Sequence, residues 1–164
     1  LALKHPERVR QVLVVGSPVA GEGLALFLRL AARRTLASMA YRTPGALQAG
    51  VRLASPLLTR DWRTWYQMFR RDLSRTTMES FHCSIASLHK TDLRPQLRDL
   101  RVPTLGIYGR LDRIVDPRQG DQLARHAASA DLRYFQQSGH FPMLDEPEQF
   151  YQTLHEFLGN GKHH

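Results

Sequence analysis

Cysteine is nearly missing from this chain, with Cys83 the single one in 164 residues. One thiol closes no intramolecular disulfide and builds no cysteine metal site, so a reducing, cytoplasmic setting is the simpler expectation. Long apolar runs are missing too. A bilayer span needs about 20 consecutive apolar residues, and the best candidate, GLALFLRLAARRTLASMA, is interrupted by Arg29, Arg33 and Arg34. A membrane-spanning helix is thereby excluded. There is no internal repeat and no low-complexity tract, and a hydrophobic content of 42% suits one domain, or one large piece of a domain, with a packed core. The chain also opens without methionine or a signal region, on LALKHPERV with a helical pattern already under way, which suggests the carboxyl-terminal part of something longer.

Acidic residues are scarce in one block. Between Arg29 and Arg75 ten arginines face only Asp61 and Asp72, so this block holds the whole formal charge of +8 while the remainder balances. Such a block can meet nucleic acid, an anionic membrane surface or an acidic substrate. The basic-aromatic-glycine signatures of nucleic-acid modules are missing, as are zinc and helix-turn-helix patterns. A solvated helical face is the expected reading, and a non-catalytic basic fragment that docks on an anionic membrane or a partner is the rival.

What is present is an alternation of strand and helix. Leu1 to Arg8 reads as the end of a helix, broken at His5-Pro6, and Val12 to Val15 as a strand buried on both faces. Helical spacing follows: Leu24, Phe27, Leu28 and Ala31; a helix opened by Pro44 with Ala46, Leu47, Val51 and Ala54; Trp62, Trp65, Tyr66, Phe69 and Leu73. A fourth helix is expected from a capping box at Thr76-x-x-Glu79, carrying Met78, Phe81, Ile85 and Leu88 inward. His82 and Cys83 lie in it as isolated residues, better explained by packing or solvent than by catalysis. VPTLGIYG and ADLRYFQQSG read as two further strands, separated by a helix with Leu123 and Ala127 on one face. Pro147 opens a last helix, with Phe150, Leu154, Phe157 and Leu158 on it and Gly159 as its stop. Strands separated by helices imply parallel neighbours. The four-helix block is too long for a simple crossover and is expected to sit above the sheet as a cap.

Ligands of open parallel sheets bind beyond the carboxyl ends of the strands. Asp112, in YGRLD, lies just past one such end, and His140, in QSGHFPML, just past the next. A carboxylate beside an imidazole fixes its tautomer and stabilises the imidazolium formed when the ring takes a proton from a nucleophile. Asp116 and Asp145 compete for the acid role, but the first reads better as a helix cap before Pro117 and the second as part of the last helix's start. Gly139 is expected to permit the tight backbone that aims His140.

An apolar strand, Gly109-x-x-Asp112, then Gly139-His140, then Glu146-Pro147 opening a helix together resemble the carboxyl-terminal half of the α/β-hydrolase fold, in its capped, serine-hydrolase-like branch. LALKHPERVRQVLVVGSP is similar to the end of the helix after that family's nucleophile plus its sixth strand. The resemblance implies parallel strands flanked by helices with an inserted four-helix cap. It divides the chain into 1–21 (nucleophile helix end and sixth strand), 22–92 (cap), 93–160 (carboxyl-terminal core) and 161–164 (tail). It implies Asp112 and His140 as triad acid and base, and a pocket for a small-molecule substrate walled by Phe141, Leu144 and Trp65. Neither cofactor nor metal is implied. The family's Gly-x-Ser-x-Gly elbow occurs nowhere in the 164 residues, and neither Ser17 nor Ser138 has its flanking glycines. The expectation is therefore a fragment, inactive alone, of an enzyme that hydrolyses ester or related acyl bonds. Acyl transfer, carbon-carbon hydrolysis, epoxide or haloalkane opening and haloperoxidation run on the same fold and stay open.

Overall fold

The computed structural model describes residues 1–31 and 44–160. The expected tail 161–164 and the stretch 32–43, which holds Arg33 and Arg34, lie outside the described residues.

Three short strands form the sheet: β1 (Val12–Val15) and β2 (Thr104–Gly109), both largely apolar, and β3 (Ala130–Phe135), which alternates with Asp131 and Arg133 outward. Their order is β1-β2-β3 and both pairings are parallel, with Val12 opposite Thr104 and Thr104 opposite Ala130. Each parallel pair needs a crossover. Between β2 and β3 it is one helix, Arg118–His126, whereas between β1 and β2 lies the long helical insertion.

The described helices are α1 (Leu26–Ala31), α2 (Pro44–Ala54), α3 (Trp62–Arg75), α4 (Met78–Lys90), α5 (Arg94–Leu97), α6 (Arg118–His126), α7 (Pro142–Asp145) and α8 (Pro147–Asn160). Helix α3 begins where the Asp61 carboxylate accepts from Thr64 N at 3.3 Å. Helix α4 starts one residue later than expected. Thr77 is its cap and accepts from Ser80 N at 3.2 Å, while Thr76 ends α3. The first eight residues form a turn and a 3-10 segment, Pro6–Arg8, in place of the expected helix end, because Pro6 donates no amide to a preceding turn. Helix α8 runs through Gly159 to Asn160 instead of stopping at the glycine.

The sheet is covered on two sides. On one, Tyr108 packs with Val19, Leu97, Leu100, Val102, Leu123 and Ala127. On the other, Leu105, Ile107, Phe135 and Phe150 form a second cluster, with Leu154 and Phe157 of α8 against it. Ile107 and Phe135 are fully buried, each contributing about 1.5–3 kcal/mol through apolar burial. β2 is buried along its whole length. β1 is not, contrary to expectation: Leu13 remains 36% exposed, while Val15 on the same face packs against the second cluster. Phe27, Leu88 and Leu158 are also exposed, where their helical spacing suggested buried faces. Arg63, Arg70, Arg71 and Arg75 of α3 are exposed as well.

The insertion leaves and re-enters the core through paired backbones. Gly21 N donates to Thr91 O at 2.8 Å and Leu93 N to Val19 O at 2.9 Å, around an antiparallel bridge between Ala20 and Asp92. Arg94 clamps this root from outside, reaching Glu22 and Asp92, each at 2.7 Å. Gln119 supports it from below: its Oε1 accepts from Val19 N at 2.8 Å and Ala20 N at 2.9 Å.

Candidate active site

The parallel register places the tips of β2 and β3 side by side, and the two corners named from the sequence meet there. Beyond β2, Arg110 N donates to Phe135 O at 2.9 Å and Leu111 N to Ser138 O at 3.0 Å, so the loop bearing Asp112 is bonded to the loop bearing His140. The Asp112 side chain is 1% exposed. Its Oδ1 accepts from Ile114 N at 2.7 Å and Val115 N at 2.9 Å, a turn that aspartate forms readily. Its Oδ2 lies 2.8 Å from His140 Nδ1. A carboxylate only accepts, so this bond puts a proton on Nδ1 and leaves the lone pair of the neutral ring on Nε2. Among the described residues Nε2 has no hydrogen-bond partner, and the imidazole is 21% exposed. A buried, amide-braced carboxylate behind a partly open imidazole can hold that ring in one orientation and steady its cation.

Three side chains were expected to bind substrate. Phe141 sets its ring edge-on to His140 at 4.8 Å between centroids, and Trp65 of α3 leans on Phe141 at 5.8 Å. Phe69 extends the row, stacked on Trp65 at 5.3 Å. Leu144 sits within α7, half-buried, and does not belong to this row of rings. A cavity of about 450 Å³ opens between Pro56–Arg60, Arg110–Arg113, Gln137, Gly139 and Asp145. Neither His140 nor Phe141, Leu144 or Trp65 lines it, so it is not the pocket expected from the sequence.

Both rival carboxylates are engaged elsewhere. Asp116 accepts from Arg118 N at 2.9 Å and pairs with the Arg118 guanidinium at 2.6 Å. That guanidinium hydrogen bond, more than the backbone one, holds the Asp116 carboxyl below the usual range. Asp145 does not serve the start of the last helix. It accepts from Gly139 N at 2.7 Å, Thr59 Oγ1 at 2.5 Å and Arg60 N at 2.6 Å.

The backbone at Gly139 is tight, as expected: its φ is not positive, and what the site requires there is space, since a Cβ would stand 2.2 Å from Leu58 O. Among the described residues the left-handed glycine is Gly16, at φ +53°, where β1 ends against the His140 ring. Nothing in its neighbours signals a histidine more than a hundred residues away. Among the described residues, no group of three or more His, Cys, Asp or Glu side chains is arranged to hold a metal ion, and no helix is long and apolar enough to cross a membrane.

A parallel sheet with helices on both faces and an Asp–His pair over its strand ends defines the class, and the sequence bears it out. The model of the alpha/beta hydrolase family matches residues 1–153, and the chain belongs to that family. It is 30% identical to a pimeloyl-[acyl-carrier protein] methyl ester esterase of Photobacterium profundum, over 96% of this chain and 64% of that protein. It is 28% identical to 3-oxoadipate enol-lactonase 2 of Acinetobacter baylyi, over 92% of this chain and 55% of the relative. The chain therefore spans a little over half to somewhat under two thirds of these relatives. Among solved structures, a hydrolase from Pseudomonas aeruginosa superimposes with a TM-score of 0.77 at 22% identity, covering 97% of this chain and 59% of that one. The enol-lactonase of Burkholderia xenovorans gives 0.74 at 23% identity, over 97% and 60%. At those identities the likeness is one of fold.

Proposed function

We propose that this chain carries the acid and the base of a serine-nucleophile hydrolase that cleaves ester or related acyl bonds. Asp112 is the orienting acid and His140 the general base. The nucleophile belongs to a preceding segment of the full-length protein, since the chain holds no Gly-x-Ser-x-Gly. The observation that carries the reading is the 2.8 Å bond from His140 Nδ1 to a carboxylate whose other oxygen is already held by two amides.

In this reading Nε2 takes the serine proton as Oγ attacks the carbonyl carbon. The imidazolium, steadied by Asp112, then gives that proton to the departing alkoxide, leaving an acyl-enzyme. In the second half Nε2 takes a proton from water, the resulting hydroxide displaces the serine, and the proton returns to Oγ. An acyl methyl ester and an enol-lactone, named for the two sequence relatives, share a carbonyl carbon bonded to oxygen, which supports an ester or lactone substrate. The rings of Phe141 and Trp65 support an apolar wall beside His140 on the acyl side, and Leu144 is assigned to the same wall.

Hydrolysis of p-nitrophenyl acetate by the full-length protein tests this. His140→Ala is expected to abolish turnover above background, and the 164-residue chain alone is expected to show none. Unchanged turnover in the variant rejects His140 as the base.

A further inference from the structure

The proposed triad leaves one well-connected carboxylate without a role. Asp145 lies five residues past His140, at the end of α7, and its three hydrogen bonds join the nearby Gly139 to the distant Thr59 and Arg60. Oδ2 accepts from Gly139 N, the residue before His140, at 2.7 Å. Oδ1 accepts from Thr59 Oγ1 at 2.5 Å and Arg60 N at 2.6 Å. Thr59 and Arg60 belong to the short link between the 3-10 segment Ser55–Leu57 and α3. The same link reaches His140 directly, where Leu58 O accepts from His140 N at 3.2 Å. At Gly139 the two backbones are too close for any side chain to intervene. The adjacent Glu146 completes the frame, its Oε2 accepting from Gln137 N at 3.1 Å and Ser138 Oγ at 2.5 Å. Every residue from Gln137 to Gly139 is thus held by one of two consecutive carboxylates.

A plainer role for Asp145 would be to cap α8, which starts two residues later. None of its hydrogen bonds goes to an amide of that helix, so capping does not account for it.

Accepting His140 as the base, we infer that Asp145 is a positioning residue that ties the helical insertion to the backbone carrying the imidazole. The tie matters because the Thr59–Arg60 link leads straight into α3, which bears Trp65, the ring that touches Phe141 beside His140. One carboxylate therefore sets the spacing between the insertion's aromatic wall and the base. Replacing Asp145 by Asn puts an NH2 against one of three donors and breaks at least one of these bonds. A shift of about 1 Å in a catalytic group costs up to about 100-fold in rate.

The test uses the full-length protein with p-nitrophenyl acetate and 15N-histidine labelling. Asp145→Asn is expected to lower kcat about 10- to 100-fold with KM changed less than about 3-fold, and to shift or broaden the low-field His140 Nδ1 proton resonance. Asp145→Glu, which keeps two acceptor oxygens, is expected to recover part of the loss. If Asp145→Asn does not fold, Thr59→Val decides: it removes one donor on the insertion side and is expected to lower kcat about 3- to 10-fold. His140→Ala is run in parallel. If that variant stays active, the reading of the base fails and this inference with it. If it is inactive while Asp145→Asn or Thr59→Val keeps the parent kcat and the parent Nδ1 resonance, the inference alone is overturned.

Discussion

Gly16 and His140 are 124 positions apart in sequence, yet a Cβ built on Gly16 would stand 3.2 Å from His140 Nδ1 and 3.3 Å from Cε1. The end of β1 is thus a floor under the imidazole, and the backbone there has a φ of +53°. Gly16→Ala is expected to destabilise the protein by about 1–2 kcal/mol, the cost of a side chain in the left-handed region. It should also tilt the ring away from Asp112. Urea unfolding and p-nitrophenyl acetate kinetics on the full-length protein measure both effects. Parent-like stability together with parent-like kcat would show that this contact carries no constraint.

Asp112→Asn separates orientation from folding. The amide oxygen can still accept from Ile114 and Val115, so the turn is retained. The NH2, however, faces Nδ1 and can only donate, which forces the ring proton onto Nε2 and removes the lone pair that the proposed mechanism uses. An unchanged circular-dichroism spectrum with kcat lower by about four orders of magnitude is expected. A loss under tenfold would argue for another acid.

Gln119→Ala addresses the root of the insertion. Gln119 is buried, and its single oxygen serves the amides of Val19 and Ala20. Each amide left bare costs about 1–3 kcal/mol, so a marked drop in the urea midpoint is expected. Gln119→Glu retains an acceptor and should lie between parent and Ala. Equal midpoints for all three proteins would contradict the assignment.

The alkaline limit follows from two tyrosines. Burial, then the hydrogen bond to and charge of Asp121, push Tyr134 up to about 12. Burial pushes Tyr108, whose hydroxyl donates to Ser17 O at 3.0 Å, higher still. A folded pKa above the unfolded value of about 10 means that both contributions to stability are complete below about pH 10 and fade as pH climbs toward the folded value. A spectrophotometric titration at the phenolate band should therefore show these two rings silent near pH 10 and ionising with unfolding. Ionisation of both near pH 10, in the folded protein, would oppose this.

Asp116 sets the opposite limit. The Arg118 guanidinium holds its carboxyl down, so its contribution is complete above the usual carboxylate range and is lost as pH falls through the lowered folded value. Asp116→Asn should flatten the acid side of a stability-against-pH curve and leave the alkaline side alone. No change in the acid side would mean the ion pair is too solvated to matter.

Much of this was legible in the residues themselves. The runs LVV and TLGIYG mark strands because apolar and β-branched side chains favour a pleated, covered surface, ADLRYF marks one by its alternation of exposed and covered residues, and β2 is as buried as its composition suggests. The helical faces were legible in spacing but not in cover. Phe27, Leu88 and Leu158 sit at the right intervals and remain exposed, since periodicity says which residues share a face and not whether anything packs on it. Asp112 and His140 could be named because each lies shortly past a strand end, after Gly109 and Gly139 respectively. Leu144 could be named but not joined to the row of rings, as its place depends on how α7 turns.

Local sequence fixed the order of strands and helices, the parallel arrangement that this order requires, and the two corners where a carboxylate and an imidazole stand. Hydrogen-bond periodicity and turn chemistry act over only a few residues, so they can be read along the chain. Tertiary structure alone decided that Asp145 serves Thr59, Arg60 and Gly139 instead of a helix, that Gln119 holds the insertion's root, and that Gly16 lies under His140. A side chain's partners are whichever backbones folding brings beside it, and those lay up to 124 residues away.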